Sequence, residues 1–160
     1  MDLSQLIERN AAFTPDKAAV VFEEQTLSYA TFHARIQLTA CALKSEFGVS
    51  RGDRVAVLSL NRPDYLVLLY ACARLGAMLV PLNWRLATAE QLFILSDAAA
   101  KVLVLERAFA ETLPALEKRL PDTNVVGFDF APSGGIAFDV LLARARGEGR
   151  NPNTDLSCPC

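Results

Sequence analysis

The sequence predicts a three-layer α/β domain: a mainly parallel sheet, helices on both faces, and an antiparallel hairpin near the N-terminus. Three observations predict it. Four short apolar runs, VAVL (55–58), MLVPL (78–82), VLVL (102–105) and VVGF (125–128), recur at an even spacing, and continuous apolar strands of this length belong in sheets covered on both faces. Helical patterns fill the intervals, and strand–helix–strand alternation builds a parallel sheet. The chain has 160 residues, enough for one hydrophobic core.

Each element has its own local reason. The stretch AAVVFEEQTLSY reads as a hairpin, with AAVVF, a polar turn at Glu23, Glu24 and Gln25, and TLSY. It adds antiparallel strands outside the parallel set. Ser28 caps a helix whose stripe, Phe32, Ile36, Ala40, Leu43 and Phe47, has a period of about 3.6 residues, and Gly48 ends it. After VAVL, Asn61 and Pro63 open a second helix that runs to Leu75, with Gly76 as its stop. Thr88 and Gln91 have capping-box spacing for a third, which runs through Leu92 and Leu95 to about Asp97. Beyond Phe130, APSGGIAF and ARARGEGRNPNTDLSCPC are rich in Gly, Pro, Asn and Ser and predict loops and a loose tail. The expected organisation is an α/β unit over residues 1–145 and a tail over 146–160.

The second helix, DYLVLLYACARL (64–75), is apolar nearly all round, so it must be covered on more than one side. Either it is a core helix beneath other helices, or it meets further chain or a second copy. Hydrophobic residues make up 52 % of the sequence and the mean hydropathy is +0.24, high for an independent domain. That excess predicts self-association.

Several function classes are excluded. A net charge of -2 and a pI near 5.4, with Lys and Arg scattered, leave no footprint for nucleic acid. The opening residues carry charges where a secretory segment needs an apolar block, and no run approaches the roughly 18 apolar residues of a membrane span. A cytoplasmic protein is expected. Of the four cysteines, Cys41 and Cys72 sit in helical patterns, which predicts reduced thiols. Cys158 and Cys160 flank Pro159, but the sole histidine, His33, lies in a different element, so no metal site is predicted.

No catalytic constellation is visible. Ser133-Gly134-Gly135 lacks the Gly-Lys-Ser/Thr ending of a phosphate loop and reads as a turn. Asp53, Asp64, Glu90 and Asp97 show no ligand spacing and read as caps and solvated turn residues. Ser28, Ser59 and His33 fall in separate elements, which argues against a nucleophile–base set. Arg85 stands apart. It follows PLNW on a loop at the carboxyl end of a parallel strand, the edge where ligands of open α/β sheets gather. Its plain structural reading is a surface arginine pairing with Glu90 or capping a carbonyl.

Four pieces then occur in a telling order: TPDKAAVVF followed by LSYATF, FGVSRGDRVAVLSLN, LGAMLVPLN and SDAAAKVLV. Together they resemble the N-terminal region of the adenylate-forming ligases, the superfamily of acyl-CoA synthetases, luciferases and peptide-synthetase adenylation domains. The resemblance runs from about Leu6 to Leu105. Where peptide-synthetase domains place Asp-Pro, this chain has Asn83-Trp84-Arg85-Leu86, which looks like bacterial fatty-acyl-CoA and related acyl- or aryl-CoA synthetases. The resemblance implies part of that family's N-terminal domain fold. It also implies a parent enzyme that uses ATP and Mg²⁺ to convert a carboxylic acid, a fatty acid in the first instance, to an acyl-adenylate and then to its CoA thioester. It implies that Arg85 lies near the CoA nucleotide phosphates. The family's Thr-Ser-Gly-Thr-Thr-Gly phosphate loop, expected shortly after Leu156, is not among these residues, nor is its C-terminal lysine. The chain by itself is therefore expected to be inert and to hold none of ATP, Mg²⁺ or CoA tightly. Two alternatives stay open: a non-catalytic binding or assembly domain, and a small flavodoxin-like nucleotide binder. The latter is weakened because no glycine-rich loop follows the first parallel strand.

Overall fold

The structure, a computed structural model, describes residues 3–147. A first helix, α1 (Leu3–Phe13), precedes the hairpin of β1 (Ala18–Phe22) and β2 (Gln25–Ser28), and α2 (Tyr29–Phe47) follows it directly. The apolar runs then become β3 (Arg54–Leu58), β4 (Met78–Pro81), β5 (Val102–Leu105) and β6 (Asn124–Gly127). Between them lie α3 (Pro63–Leu75), α4 (Thr88–Ala98), and a 3₁₀ segment (Arg107–Thr112) leading into α5 (Leu113–Arg119). A short β7 (Ile136–Ala137) and α6 (Phe138–Gly147) complete the described residues.

All five strands of the main sheet are parallel, in the order β4-β3-β5-β6-β7, and the hairpin forms a separate antiparallel pair. Alternation along the strands divides the core into two faces. Val55, Val57, Val102, Val104 and Val126 pack with Ala42 and Leu43 of α2, Leu68 and Cys72 of α3, and Phe138 and Leu141 of α6. Ala56, Leu58, Leu103 and Leu105 face the other way, toward Leu92 and Leu95 of α4 and Leu113 and Leu116 of α5. The expected three layers are present. A satellite cluster of Ile7, Phe32, Ile36 and Val67 ties α1 and the hairpin to the outside of α2 and α3.

The helix ends show why these boundaries fall where they do. Ser28 Oγ accepts a hydrogen bond from the Thr31 N–H at 3.2 Å, and Gly48 and Gly76 close α2 and α3 in the left-handed conformation, at φ 61° and 67°. Pro63 opens α3, with Arg62 as the extended residue before it. For α4 the start differs from expectation. Thr88 is already helical, the cap position is Ala87, and Glu90 supplies the reciprocal half of the box by accepting the Ala87 N–H at 2.9 Å. Alanine offers no side-chain acceptor, so the Glu90 carboxylate supplies the only side-chain half of this box.

Two further expectations are revised. The segment after Phe130 is not only loop: Ile136–Ala137 adds a parallel strand beside β6, and α6 docks on α2. Phe138, Leu141, Leu142 and Ala145 form an i, i+3, i+4, i+7 stripe that outweighs the surrounding glycine and proline. α6 extends to Gly147, so the first two residues of the expected 146–160 tail are helical. The rest of that segment, with Cys158 and Cys160, lies outside the described residues. α3, apolar nearly all round, is a core helix: Leu68 and Cys72 face the sheet, Val67 meets Ile7 of α1 and Phe32 and Ile36 of α2, and Leu66 is its exposed position. Among the described residues, neither Cys41 nor Cys72 is in a disulfide.

Candidate functional site

From β3 the chain crosses to β4 on one side and then returns to β5 on the other. The boundary between β3 and β5 is thus the point where strand order reverses, and the loops at the carboxyl ends flank the natural ligand crevice of such a sheet. Two arrangements lie along this edge.

The first is an ionic cluster at the reversal itself. Glu106, just after β5, accepts the Leu60 N–H at 2.9 Å and the Ser59 hydroxyl at 3.2 Å, and Arg62 stands 3.8 Å from its other oxygen. Asp64 receives both Arg35 and Arg62, the latter at 3.1 Å. The Arg62 guanidinium also lies 4.7 Å over the Phe128 ring. Arg35, Leu60, Arg62, Asp64 and Glu106, with Phe22, Glu23 and Gln25 of the hairpin, line a cleft of about 400 Å³. Arg35 and Arg62 are answered by Asp64 and Glu106, so the cluster fastens the loop after β3 to α2, α3 and β5.

The second is the loop after β4, which presents Arg85. The Arg85 N–H donates to Asn83 Oδ1 at 3.0 Å, and the guanidinium lies 4.7 Å over the Trp84 ring. Trp84 in turn rests against Phe109 of the 3₁₀ segment, with 6.4 Å between ring centroids. Arg85 is exposed, and among the described residues no carboxylate lies within ion-pair distance of it. Glu90, the partner its structural reading supplied, is engaged at the Ala87 cap instead. Arginine on an aromatic face keeps its full charge and its forked donors, which suits recognition of phosphate.

The other candidates serve the scaffold. Asp53 accepts from Lys101 Nζ at 3.0 Å and from the Ser50 N–H at 2.9 Å, and these hydrogen bonds, Lys101 foremost, hold its carboxyl below the usual range. Asp97 is exposed on α4, and Ser133-Gly134-Gly135 forms a turn with Gly134 at φ 70°. Ser28 is a cap, Ser59 bonds Glu106, and His33 faces the seam between α1 and α3, so no nucleophile and base are brought together. Among the described residues no group of three His, Cys, Asp or Glu side chains could hold a metal ion, and no helix is long and apolar enough to cross a membrane. Sequence reasoning overlooked Arg62, Glu106 and Gln91. The first two look like ordinary surface charges until the sheet brings their loops together. Gln91 entered only as half of a capping box, although an amide directly before the apolar run LFIL (92–95) offered a signal of its own.

A parallel sheet whose strand order reverses between β3 and β5, covered by helices on both faces, defines an open, doubly wound α/β domain. Its membership is specific: the AMP-binding enzyme family matches residues 7–143, and the chain belongs to that family. It is 42% identical over 145 residues, 91% of this chain and 28% of the relative, to an indoleacetate–CoA ligase of Aromatoleum aromaticum. It is 35% identical over 128 residues, 78% of this chain and 25% of the relative, to the long-chain-fatty-acid–CoA ligase FadD13 of Mycobacterium tuberculosis. The N-terminal domain of FACL13 from Mycobacterium tuberculosis shares its fold with a TM-score of 0.74 at 28% identity, over 97% of this chain and 38% of that one. The chain spans about a quarter of the length of the two curated relatives named, 28% and 25%.

Proposed function

We propose that this chain is the N-terminal α/β unit of an ATP-dependent carboxylic acid–CoA ligase. The family match over residues 7–143 carries the reading. The reaction would proceed in two steps. A carboxylate oxygen attacks the α-phosphorus of ATP and pyrophosphate leaves; the CoA thiol then attacks the acyl carbon and AMP leaves, the adenylate having made a poor electrophile reactive. The relatives' names extend from indoleacetate and feruloyl to 2-succinylbenzoate and fatty acids. A fatty acid remains the first substrate to assay, with aryl acids as its direct competitors. Full-length protein offered both panels should give acid-dependent ATP–pyrophosphate exchange and a CoA thioester; exchange without any CoA-dependent product would overturn the CoA reading.

Within this chain the proposed ligand contact is Arg85 with a CoA phosphate. Its stacked, exposed guanidinium, not paired to any described carboxylate, supports that role. Arg85→Ala in the full-length enzyme should raise the CoA KM far more than it slows pyrophosphate exchange, because CoA takes no part in the first step. Equal loss in both steps would mark a structural arginine. The proposal gives ATP and Mg²⁺ no ligand among the described residues. Accordingly the 160-residue chain alone should show no acid-dependent exchange, since positioned electrostatics at the phosphates supply most of the rate in such chemistry. Exchange above a protein-free blank would refute it.

A further inference from the structure

The loop that carries Arg85 is hydrogen-bonded at its entry, across itself and from α4 beneath it. Its entry is pinned to the sheet by the Leu82 N–H, which donates to the Val57 carbonyl at 2.8 Å. The Leu86 N–H returns to the Asn83 carbonyl at 3.1 Å, and Asn83 Oδ1 holds the Arg85 N–H. From α4, Gln91 reaches back under the loop. It is only 4% exposed, and its Nε2 donates to the Leu86 carbonyl at 3.1 Å and, more distantly, to the Asn83 carbonyl at 3.4 Å. A buried amide is costly unless it is hydrogen-bonded, so placing one here and using both of its N–H groups on one loop restrains that loop. The side chain is restrained as well, because Trp84 supplies the face on which the guanidinium lies and Phe109 braces Trp84 from the next loop.

We infer that Trp84 and Gln91 are positioning residues, which hold Arg85 in a preset pose for an anionic group of the second substrate. The inference rests on the proposed contact between Arg85 and a CoA phosphate. A free arginine side chain samples many rotamers, and binding an anion would have to immobilise it. On the Trp84 ring that ordering is already present before the ligand arrives, while all of the charge stays available. Asn83 and Gln91 do the same for the backbone.

The test is a double-mutant cycle in the full-length enzyme, with the CoA KM as readout and pyrophosphate exchange without CoA as the internal reference. Trp84→Ala should raise the CoA KM about threefold, the scale of an exposed cation–π contact, and Trp84→Phe should restore most of it. Gln91→Leu, which keeps the bulk and removes the donors, should also raise the CoA KM more than it slows exchange. The deciding measurement is Trp84→Ala placed in the Arg85→Ala background. If Trp84 acts through Arg85, the double variant has the KM of Arg85→Ala alone. An additive effect, or a Trp84→Ala enzyme with an unaltered KM, overturns the positioning role while leaving the CoA contact standing. An Arg85→Ala enzyme with an unaltered KM overturns both.

Discussion

Cys72 shows how burial alone sets the chemistry of a residue. It is 1% exposed among Val55, Leu68 and Phe138, and desolvation pushes its thiol pKa up to about 12. The thiolate is the reactive form, so native protein at pH 8 should leave Cys72 unmodified by iodoacetamide, and labelling should appear only in urea. Mass spectrometry of tryptic peptides checks this, and native labelling of Cys72 would contradict the packing. Asp64 illustrates the converse, a charge kept near the interior by two partners. Its side chain is 15% exposed and serves both Arg35 and Arg62. Asp64→Asn should lower stability by about 2 kcal/mol, because charge-assisted bonds are lost and two guanidinium groups are left facing each other. Urea unfolding at pH 7 measures it; a shift under a few tenths would show that solvent replaces the carboxylate.

Among elements, the seam of α1, α2 and α3 carries the pH-sensitive contact. His33 of α2 faces Glu8 from α1 and Arg74 from α3, which form a pair at 4.0 Å, and its Nε2 is buried without a hydrogen-bond partner. Burial lowers its pKa below 6.5, opposed in part by Glu8 and assisted by Arg74. A lowered pKa means that the unfolded chain takes up the proton first. Stability is therefore full above pH 6.5 and falls as the solution is acidified through the folded-state value. The urea midpoint of wild type should drop between pH 7.5 and 5 by more than that of His33→Gln, and parallel profiles would remove His33 as the cause. Element boundaries were readable wherever one residue sets the backbone, as Ser28, Gly48 and Gly76 do for α2 and α3. They were misread where the signal is relational. Thr88 and Gln91 have capping-box spacing, yet Glu90 makes the bond and Gln91 turns to the loop. The α6 stripe was hidden because its meaning depends on α2 being there to receive it.

At the scale of the whole molecule, several large apolar side chains remain uncovered, among them Phe13 at 76%, Val21 at 69% and Phe93 at 69% exposed. Phe93 lies with Leu86, Ala89 and Ile94 along an apolar cleft on the outer side of α4. Patches of this kind favour association, at roughly 25 cal/mol per Å² of apolar surface removed from water. The 160-residue chain should therefore scatter light above its monomer mass of 17.4 kDa as concentration rises in reducing buffer, and Phe93→Lys should reduce the effect. A monomeric mass across a dilution series, with one cooperative unfolding transition, would show that the unit covers its own core.

Composition and local chemistry alone specified the parallel sheet, its four main strands and the helices between them, because period, length and capping residues act over a few neighbours. The same reasoning singled out Arg85, since a loop that follows a parallel strand must emerge at the carboxyl edge. Only the tertiary structure decided what surrounds it. Trp84 meets Phe109 across two different crossovers, and Gln91 ties a loop that begins eight residues earlier, while at the strand-order reversal Glu106 gathers Ser59, Leu60 and Arg62 from the loop after β3. Strand order sets these meetings, and strand order is chosen by how every apolar face is buried at once, which no short window of sequence contains.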